Sequence, residues 1–262
     1  MNLNTILGVL PFVLTLAGCA GITAHPLAHG DASHLEQLAT APAALGTLIY
    51  NGDVRPQGAD AEGAFRYERW VRDTGAGNVS THLTYDLAGD GVVLHQATHD
   101  AAYTLTRFEE LHGQTGLVGS VEVHPGGELS IEVTVDGETT RATEGPGAPV
   151  HAGPTLFGYV LNHWDGLVAG ESLPLRFPVL SDARTYGFQV RLDHADREHT
   201  VFRMDATHLL VRAVVPTMRL TFATETREPV RYEGSVPPLL DDDGRLRAFQ
   251  ARVDYTMSQE YR

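Results

Sequence analysis

From Thr47 onward, apolar side chains return at every second position. Phe65, Tyr67 and Val71 alternate with Arg66, Glu68 and Arg72, and Leu83, Tyr85 and Leu87 with Thr84 and Asp86. Leu129, Ile131, Val133 and Val135 repeat the pattern, as do Phe188, Val190 and Leu192. So do Leu209, Val211, Ala213 and Val215, and then Phe249, Ala251, Val253, Tyr255 and Met257. A period of two means strands with one buried and one wet face, which suits antiparallel rather than parallel pairing. Turn signals fall between the runs at Asn51-Gly52, Asp90-Gly91, Gly126-Gly127, Asp136-Gly137 and Asp243-Gly244. Asp136-Gly137, set between two alternating runs, is the clearest hairpin signal.

One segment has a different period. Gly153-Pro154 places proline in a first helical turn, and Leu156, Phe157, Val160, Leu161 and Trp164 then recur at helical spacing. Asp165-Gly166 is expected to end that helix. The stretch Glu144-Gly145-Pro146-Gly147-Ala148-Pro149 breaks the chain into halves, and neither half alone supplies a two-sided core. Residues 46–262 are therefore expected to form a single antiparallel β domain. The fold expected is mainly β: a large curved antiparallel sheet, or half-open barrel, with one helix packed on it. Such a sheet either packs solid with no cavity, or curls around the helix and leaves a concave apolar face. Phe157, Tyr159, Trp164, Phe177 and Phe188 are expected to line it as ligand-binding residues, and Gly119 and Gly187 to mark bends.

The N-terminal segment reads as an address. An apolar run from Ile6 to Leu16 leads into Leu16-Ala17-Gly18-Cys19, and Cys19 is the one cysteine of the chain. The run is shorter than the ~20 residues of a membrane span and fits the apolar region of a cleaved signal. The segment resembles a bacterial lipoprotein signal peptide with its lipobox, although residues 1–4 contain no Lys or Arg. The resemblance implies signal residues 1–18, acylation of Cys19 and anchoring in the cell envelope. Ala20, in place of an inner-membrane Asp, implies the outer membrane facing the periplasm in a Gram-negative cell. Residues 19–45 read as a flexible tether, interrupted by a short helix where Ser33 and Glu36 have capping-box spacing.

Charge narrows the partners. The net charge is −14 and all 19 basic residues are arginine. An acidic domain lacks the basic face that displaces counterions from nucleic acid, so no nucleic-acid partner is expected. It also has no polybasic grip on anionic lipid headgroups, which leaves the acyl anchor as the expected hold on the membrane.

Candidate chemistry is sparse among 13 histidines. His25, His29 and His34 lie in the tether and read as incidental. His95 and His99 lie on a strand, where four residues span ~13 Å, too far for one metal; His95 reads as a surface or pocket-wall residue. His194 and His199 flank a turn. Asp241-Asp242-Asp243-Gly244 resembles half of a calcium loop but lacks its alternating ligands. Glu109 and Glu110 face opposite ways on a strand. No nucleophile elbow, His-Glu-x-x-His or phosphate loop is present, so no catalytic residue, metal or cofactor is assigned.

A weaker resemblance covers about residues 150–257. Gly153-Pro154-Thr155-Leu156, Trp164-Asp165-Gly166, Leu175-Arg176-Phe177-Pro178-Val179, Tyr186-Gly187-Phe188 and Tyr232-Glu233-Gly234 are its marks. They are similar to uncharacterised bacterial envelope proteins of the DUF3108 and DUF6134 kind. More distantly they resemble the half-open barrels of lipoprotein carriers such as LolA and LolB. This implies an amphiphile-binding concave face: an envelope lipoprotein that binds a lipid or other apolar ligand. The alternative is a structural or assembly lipoprotein that holds an envelope protein partner. A metal-dependent enzyme using the histidines is a third, lesser reading.

Overall fold

A computed structural model describes residues 22–23, 29–58, 63–213 and 215–259, with side chains from residue 35 onward. The chain opens with β1 (Ile22–Thr23), α1 (His29–Thr40) and a 3-10 turn at Pro42–Leu45. Eight strands follow: β2 (Thr47–Pro56), β3 (Phe65–Asp73), β4 (Asn78–Tyr85), β5 (Gly91–His99), β6 (Leu105–His112), β7 (Leu117–Val123), β8 (Leu129–Val135) and β9 (Glu138–Glu144). Next come α2 (Gly153–Asn162), α3 (Trp164–Val168), β10 (Ser172–Val179), a 3-10 turn at Leu180–Asp182, β11 (Arg184–Ala195) and β12 (His199–Ala206). The last elements are α4 (Leu209–Arg212), β13 (Met218–Ala223), β14 (Pro229–Ser235), β15 (Leu240–Asp242), β16 (Arg245–Arg247) and β17 (Gln250–Met257).

Fourteen strands make one sheet in the order β10-β11-β12-β13-β14-β17-β2-β3-β4-β5-β6-β7-β8-β9, all antiparallel. Right-handed twist accumulates over that many strands, and so wide a sheet must curl. Register shifts in the β2–β3, β4–β5, β5–β6, β11–β12 and β13–β14 pairs add local bends. The expected bends at Gly119 and Gly187 are instead close approaches. A Cβ on Gly119 would stand 2.8 Å from Leu180 Cδ1, and one on Gly187 would stand 2.6 Å from Thr207 Oγ1.

The sheet does not close by strand pairing. Its two edges are β9 and β10, and residues 144–151 run between them. Val150 forms a parallel bridge with Arg176 of β10, where the Arg176 N–H donates to the Pro149 carbonyl (2.7 Å) and the His151 N–H to the Arg176 carbonyl (2.9 Å). Glu144 reaches back from β9, ion-pairing Arg176 (3.6 Å) and accepting from the Thr185 N–H (2.7 Å) and hydroxyl. Arg176 Nε donates to the Ala148 carbonyl (2.8 Å). Leu180 completes the join by packing with Leu117, Val121, Ile131 and Val133 from β7 and β8. The result is a large curved sheet, a half-open barrel whose edge strands are not paired but are linked through residues 144–151.

Helices cover both faces of the sheet around β4 and β5, and seven consecutive residues of β4 are buried. On the convex face α1 and the turn after it bring Leu35 and Leu45 onto Leu83, Tyr85, Leu94 and Leu111. On the concave face α2 and α3 pack Leu156, Phe157, Val160, Trp164 and Leu167 against β10–β13. More than the one expected helix therefore packs on the sheet. Leu35 is only 1% exposed, so the packed domain begins before residue 46, inside the segment expected to be a tether. Ser33 lies within α1 rather than at its start.

Other local expectations are also corrected. The alternating run at residues 209–215 does not make a strand: α4 forms there, with Arg212 and Ala213 N–H groups donating to the His208 and Leu209 carbonyls. Pro216 follows and has no N–H for a ladder. Asn51-Gly52 is not a turn but the middle of β2. There a Cβ on Gly52 would meet Val253 Cγ1 at 2.8 Å, so the glycine makes room across the sheet. Asp165-Gly166 lies inside α3, while α2 already ends at Asn162. The Asp136-Gly137 hairpin forms as expected, with φ positive at both residues (52° and 80°).

Candidate functional site

The concave face has an apolar half and a polar band beside it. The apolar half gathers all of the expected ligand-binding residues. Phe157 and Tyr159 come from α2, Trp164 from α3, Phe177 from β10 and Phe188 from β11, and all belong to one cluster. Trp164 meets Phe202 and Phe222 edge-on at 5.1 and 5.5 Å, Phe157 meets Phe222 at 5.4 Å, and Phe177 meets Phe188 at 6.4 Å. Tyr159 faces elsewhere within that cluster: its ring stacks on His151 at 3.6 Å. The helical stripe that buries Phe157 thus also places it in ring contact with the sheet's own aromatics.

The polar band runs across β2–β6. Register sets Tyr50 opposite Arg69, Arg69 opposite His82, His82 opposite His95, and His95 opposite Glu110, so these side chains share the concave face. Helix α2 lands on them. A Cβ on Gly153 would stand 3.2 Å from His82 Nδ1, so the first turn of α2 sits tightly on that ring. From the β5–β6 turn Tyr103, at φ 61°, lays its ring where a Cβ on Gly158 would be 2.1 Å from it, and stacks on His99 at 4.8 Å.

Burial decides the charge state of this band. Burial, with Arg69 and His95 nearby, holds the His82 imidazole well below its usual range, so it is neutral. Burial, with His163 and His99 beside it, lowers His151 to about 3. Burial also lowers His99 and His112. It raises the Tyr50 phenol and pushes those of Tyr67 and Tyr255 well above their usual value, so they keep their protons. Burial works against the Glu110 carboxylate, but His95 and His112 hold it below its ordinary value. His95 Nε2 lies 3.5 Å from Glu110 Oε2, a charge contact without hydrogen-bond geometry.

Several buried polar atoms in the band have no hydrogen-bond partner among the described residues: Tyr50 Oη, Arg69 Nε, His82 Nε2, His95 Nε2 and His151 Nε2. Tyr67 Oη and His82 Nδ1 are hydrogen-bonded, and the His82 tautomer sets which of them donates. Unsatisfied buried groups cost about 1–3 kcal/mol each, and native proteins contain few of them. Five of these atoms fall on one face, which makes that face the candidate site.

The remaining sequence candidates do not gather into a second site. Cys19 lies outside the described residues, as do the side chains of His25, His29 and His34. His95 and His99 are buried in the polar band rather than at the surface. His194 is exposed beside a turn in which Asp196 accepts from the Glu198 and His199 N–H groups (2.8 Å each). Asp241 caps its own turn through the Gly244 N–H (2.6 Å), and Asp242 pairs with Arg247 at 2.7 Å. No group of three His, Cys, Asp or Glu among the described residues is placed to hold a metal ion. A convex-face groove of about 460 Å³ is crossed by Arg107–Glu122 and Arg141–Glu132 ion pairs and reads as solvated surface. Alternation alone passes over Arg69, although an arginine in the inward slot between Tyr67 and Val71 is itself the signal.

No family model matches the chain, and no curated protein matches it. Among solved structures, it is similar to a β-barrel-like protein of the domain of unknown function DUF1849 from Brucella abortus. That likeness has 8% identity and a TM-score of 0.48, covering 80% of this chain and 94% of the other. A fainter likeness, to the di-domain ARO/CYC StfQ of the steffimycin biosynthetic pathway, has 9% identity and a TM-score of 0.14. It covers 92% of this chain and 84% of that one. Neither is one of the envelope families that the residues resemble, and at such TM-scores neither likeness speaks to function.

Proposed function

We propose that this chain is a lipid-anchored envelope domain that binds an amphiphilic ligand on the concave face of its sheet. The observation behind the reading is the adjacency of the two halves of that face. An aromatic cluster suits an apolar tail, and a band of buried donors without partners suits a polar end. Tyr50 joins them, 4.9 Å from Tyr255 and 6.2 Å from Phe157, while facing Arg69. The aromatic rings already touch one another, so an apolar chain enters by parting α2 and α3 from the sheet. The lipobox reading supplies the anchor at Cys19 and the envelope location.

Two measurements test this. Fractionation of cells expressing Cys19→Ala should show the variant released from the membrane while still folded; retention in the membrane overturns the anchor. Native mass spectrometry of gently extracted protein should show a bound lipid or its exchange with added amphiphile. Protein that is always unliganded and exchanges nothing overturns the ligand reading. A stoichiometric protein partner without lipid would favour the assembly role instead.

A further inference from the structure

We propose that Arg69 is the counter-charge for a ligand carboxylate, so that the ligand of the concave face is a monoanionic amphiphile. This rests on the ligand-binding function proposed for that face and names the chemistry of its polar end.

Arg69 is 4% exposed on the inward face of β3. Its guanidinium cannot shed its charge at any ordinary pH. It makes one hydrogen bond, from Nη2 to Ser80 Oγ at 3.3 Å, and its Nε has no partner. Among the described residues no carboxylate lies within ion-pair range of it, and the groups that its charge feels are the phenols of Tyr50, Tyr67 and Tyr103. The Arg69 guanidinium lies 5.7 Å over the Tyr50 ring, a cation–π contact, and a buried cation without a carboxylate still costs several kcal/mol. Arg176 shows how the same chain treats an arginine of structural purpose. It is less buried, at 15% side-chain exposure, and it has Glu144 and two backbone carbonyls as partners.

The neighbours of Arg69 are matched to an anion. Tyr50 Oη and His82 Nε2 are each buried without a hydrogen-bond partner. Arg69 Nε can only donate, Tyr50 Oη can donate, and His82 Nε2 donates in one of its two tautomers; on one face these are a set that a carboxylate's two oxygens satisfy. The charge count separates carboxylate from phosphate. Arg69 is the one fixed positive charge in the band, and His82 is neutral, so a dianionic phosphate would leave an excess buried charge. The Tyr50 ring then leads from the polar end to Tyr255, Phe157 and Phe222.

The test uses the purified full chain, stripped of non-covalent lipid, with dodecanoate, dodecanol and acetate as probes in thermal-shift and calorimetric titrations. Dodecanoate should bind at least about tenfold more tightly than dodecanol, the return expected from one charge-assisted contact, and acetate far more weakly than either. Arg69→Met should remove the preference, so that dodecanoate and dodecanol bind alike. The same variant should melt no lower than the ligand-free wild type, because it deletes an unpaired buried charge while keeping apolar bulk. If wild type binds dodecanoate and dodecanol equally, the carboxylate assignment falls and the amphiphile reading stands. If neither binds, the amphiphile reading itself falls. Acetate binding as tightly as dodecanoate would make the ligand a small free carboxylate and overturn the amphiphile. Ligand-free Arg69→Met melting several degrees lower would show the charge compensated within the chain, which also overturns the proposal.

Discussion

At the scale of residues, this interior is chiefly distinguished by neutral imidazoles. His82, His99, His112 and His151 are buried, and their folded pKa values lie below the ordinary histidine value of 6.5. The unfolded chain therefore binds more protons than the folded one once pH falls below 6.5. Stability is fully present above that pH and is lost as pH falls toward the folded values. Glu110, held below the ordinary carboxylate value of 4.5, adds to the loss only as pH falls below that value. Each fully depressed histidine costs about 1.4 kcal/mol per pH unit, so His151 alone, at about 3, accounts for roughly 3 kcal/mol by pH 4.5. Urea unfolding at a series of pH values should show a midpoint that is steady near neutrality and drops steeply between pH 6.5 and 4.5. His151→Phe, which keeps a ring on Tyr159, should flatten part of that slope. A midpoint insensitive to acid would mean that these rings accept protons in place.

At the scale of elements, the seating of α2 depends on what its glycines omit. Gly158 receives the Tyr103 ring, and a Cβ there would overlap it at 2.1–2.3 Å. Gly158→Ala should therefore cost about 1–3 kcal/mol despite alanine's better helix propensity. In Tyr103→Ala the same substitution should cost little or become favourable. A double-mutant cycle in denaturant measures the coupling, and additive effects would show that the ring is not seated there. Helix α2 itself is legible in the sequence, because Gly153-Pro154 and the apolar stripe both act locally. The strand at Phe65–Asp73 is legible for the same reason. Arg69 is not, since alternation says which way a side chain points but not whether a partner waits there. The run at residues 209–215 shows the opposite failure. Its alternation is real, but Val211 is the one buried member of α4 and Pro216 cannot join a ladder, so one turn of helix wins. The five aromatic residues are readable as a group; the polar half of the face emerges only from register.

At the scale of the molecule, alternation and turn signals make the antiparallel sheet legible, but not how its ends meet. The join between β9 and β10 depends on contacts between residues 144–151 and 176–185, which no local pattern encodes. Hydrophobic packing through Leu180 is one part of it, and the Glu144–Arg176 pair with the Thr185 bonds is the other. The pair is partly shielded, at 25% and 15% side-chain exposure, so it should be worth more than a free surface pair. Glu144→Ala strands a half-buried guanidinium and an unpaired Thr185 N–H, which should cost about 1–3 kcal/mol. Glu144→Gln keeps an acceptor for Thr185 and should cost less. Because the clasp bounds the concave face, loss of stability should come with local opening. Hydrogen exchange at the His151 and Arg176 amides should rise in Glu144→Ala well before that of the amides of β4, seven of whose residues are buried. If the two regions exchange in step, the join is not a separate unit and the barrel opens only by unfolding. If the clasp region opens first, it is the natural route by which α2 and α3 part from the sheet, and ligand uptake by Glu144→Ala should be faster than by the wild type.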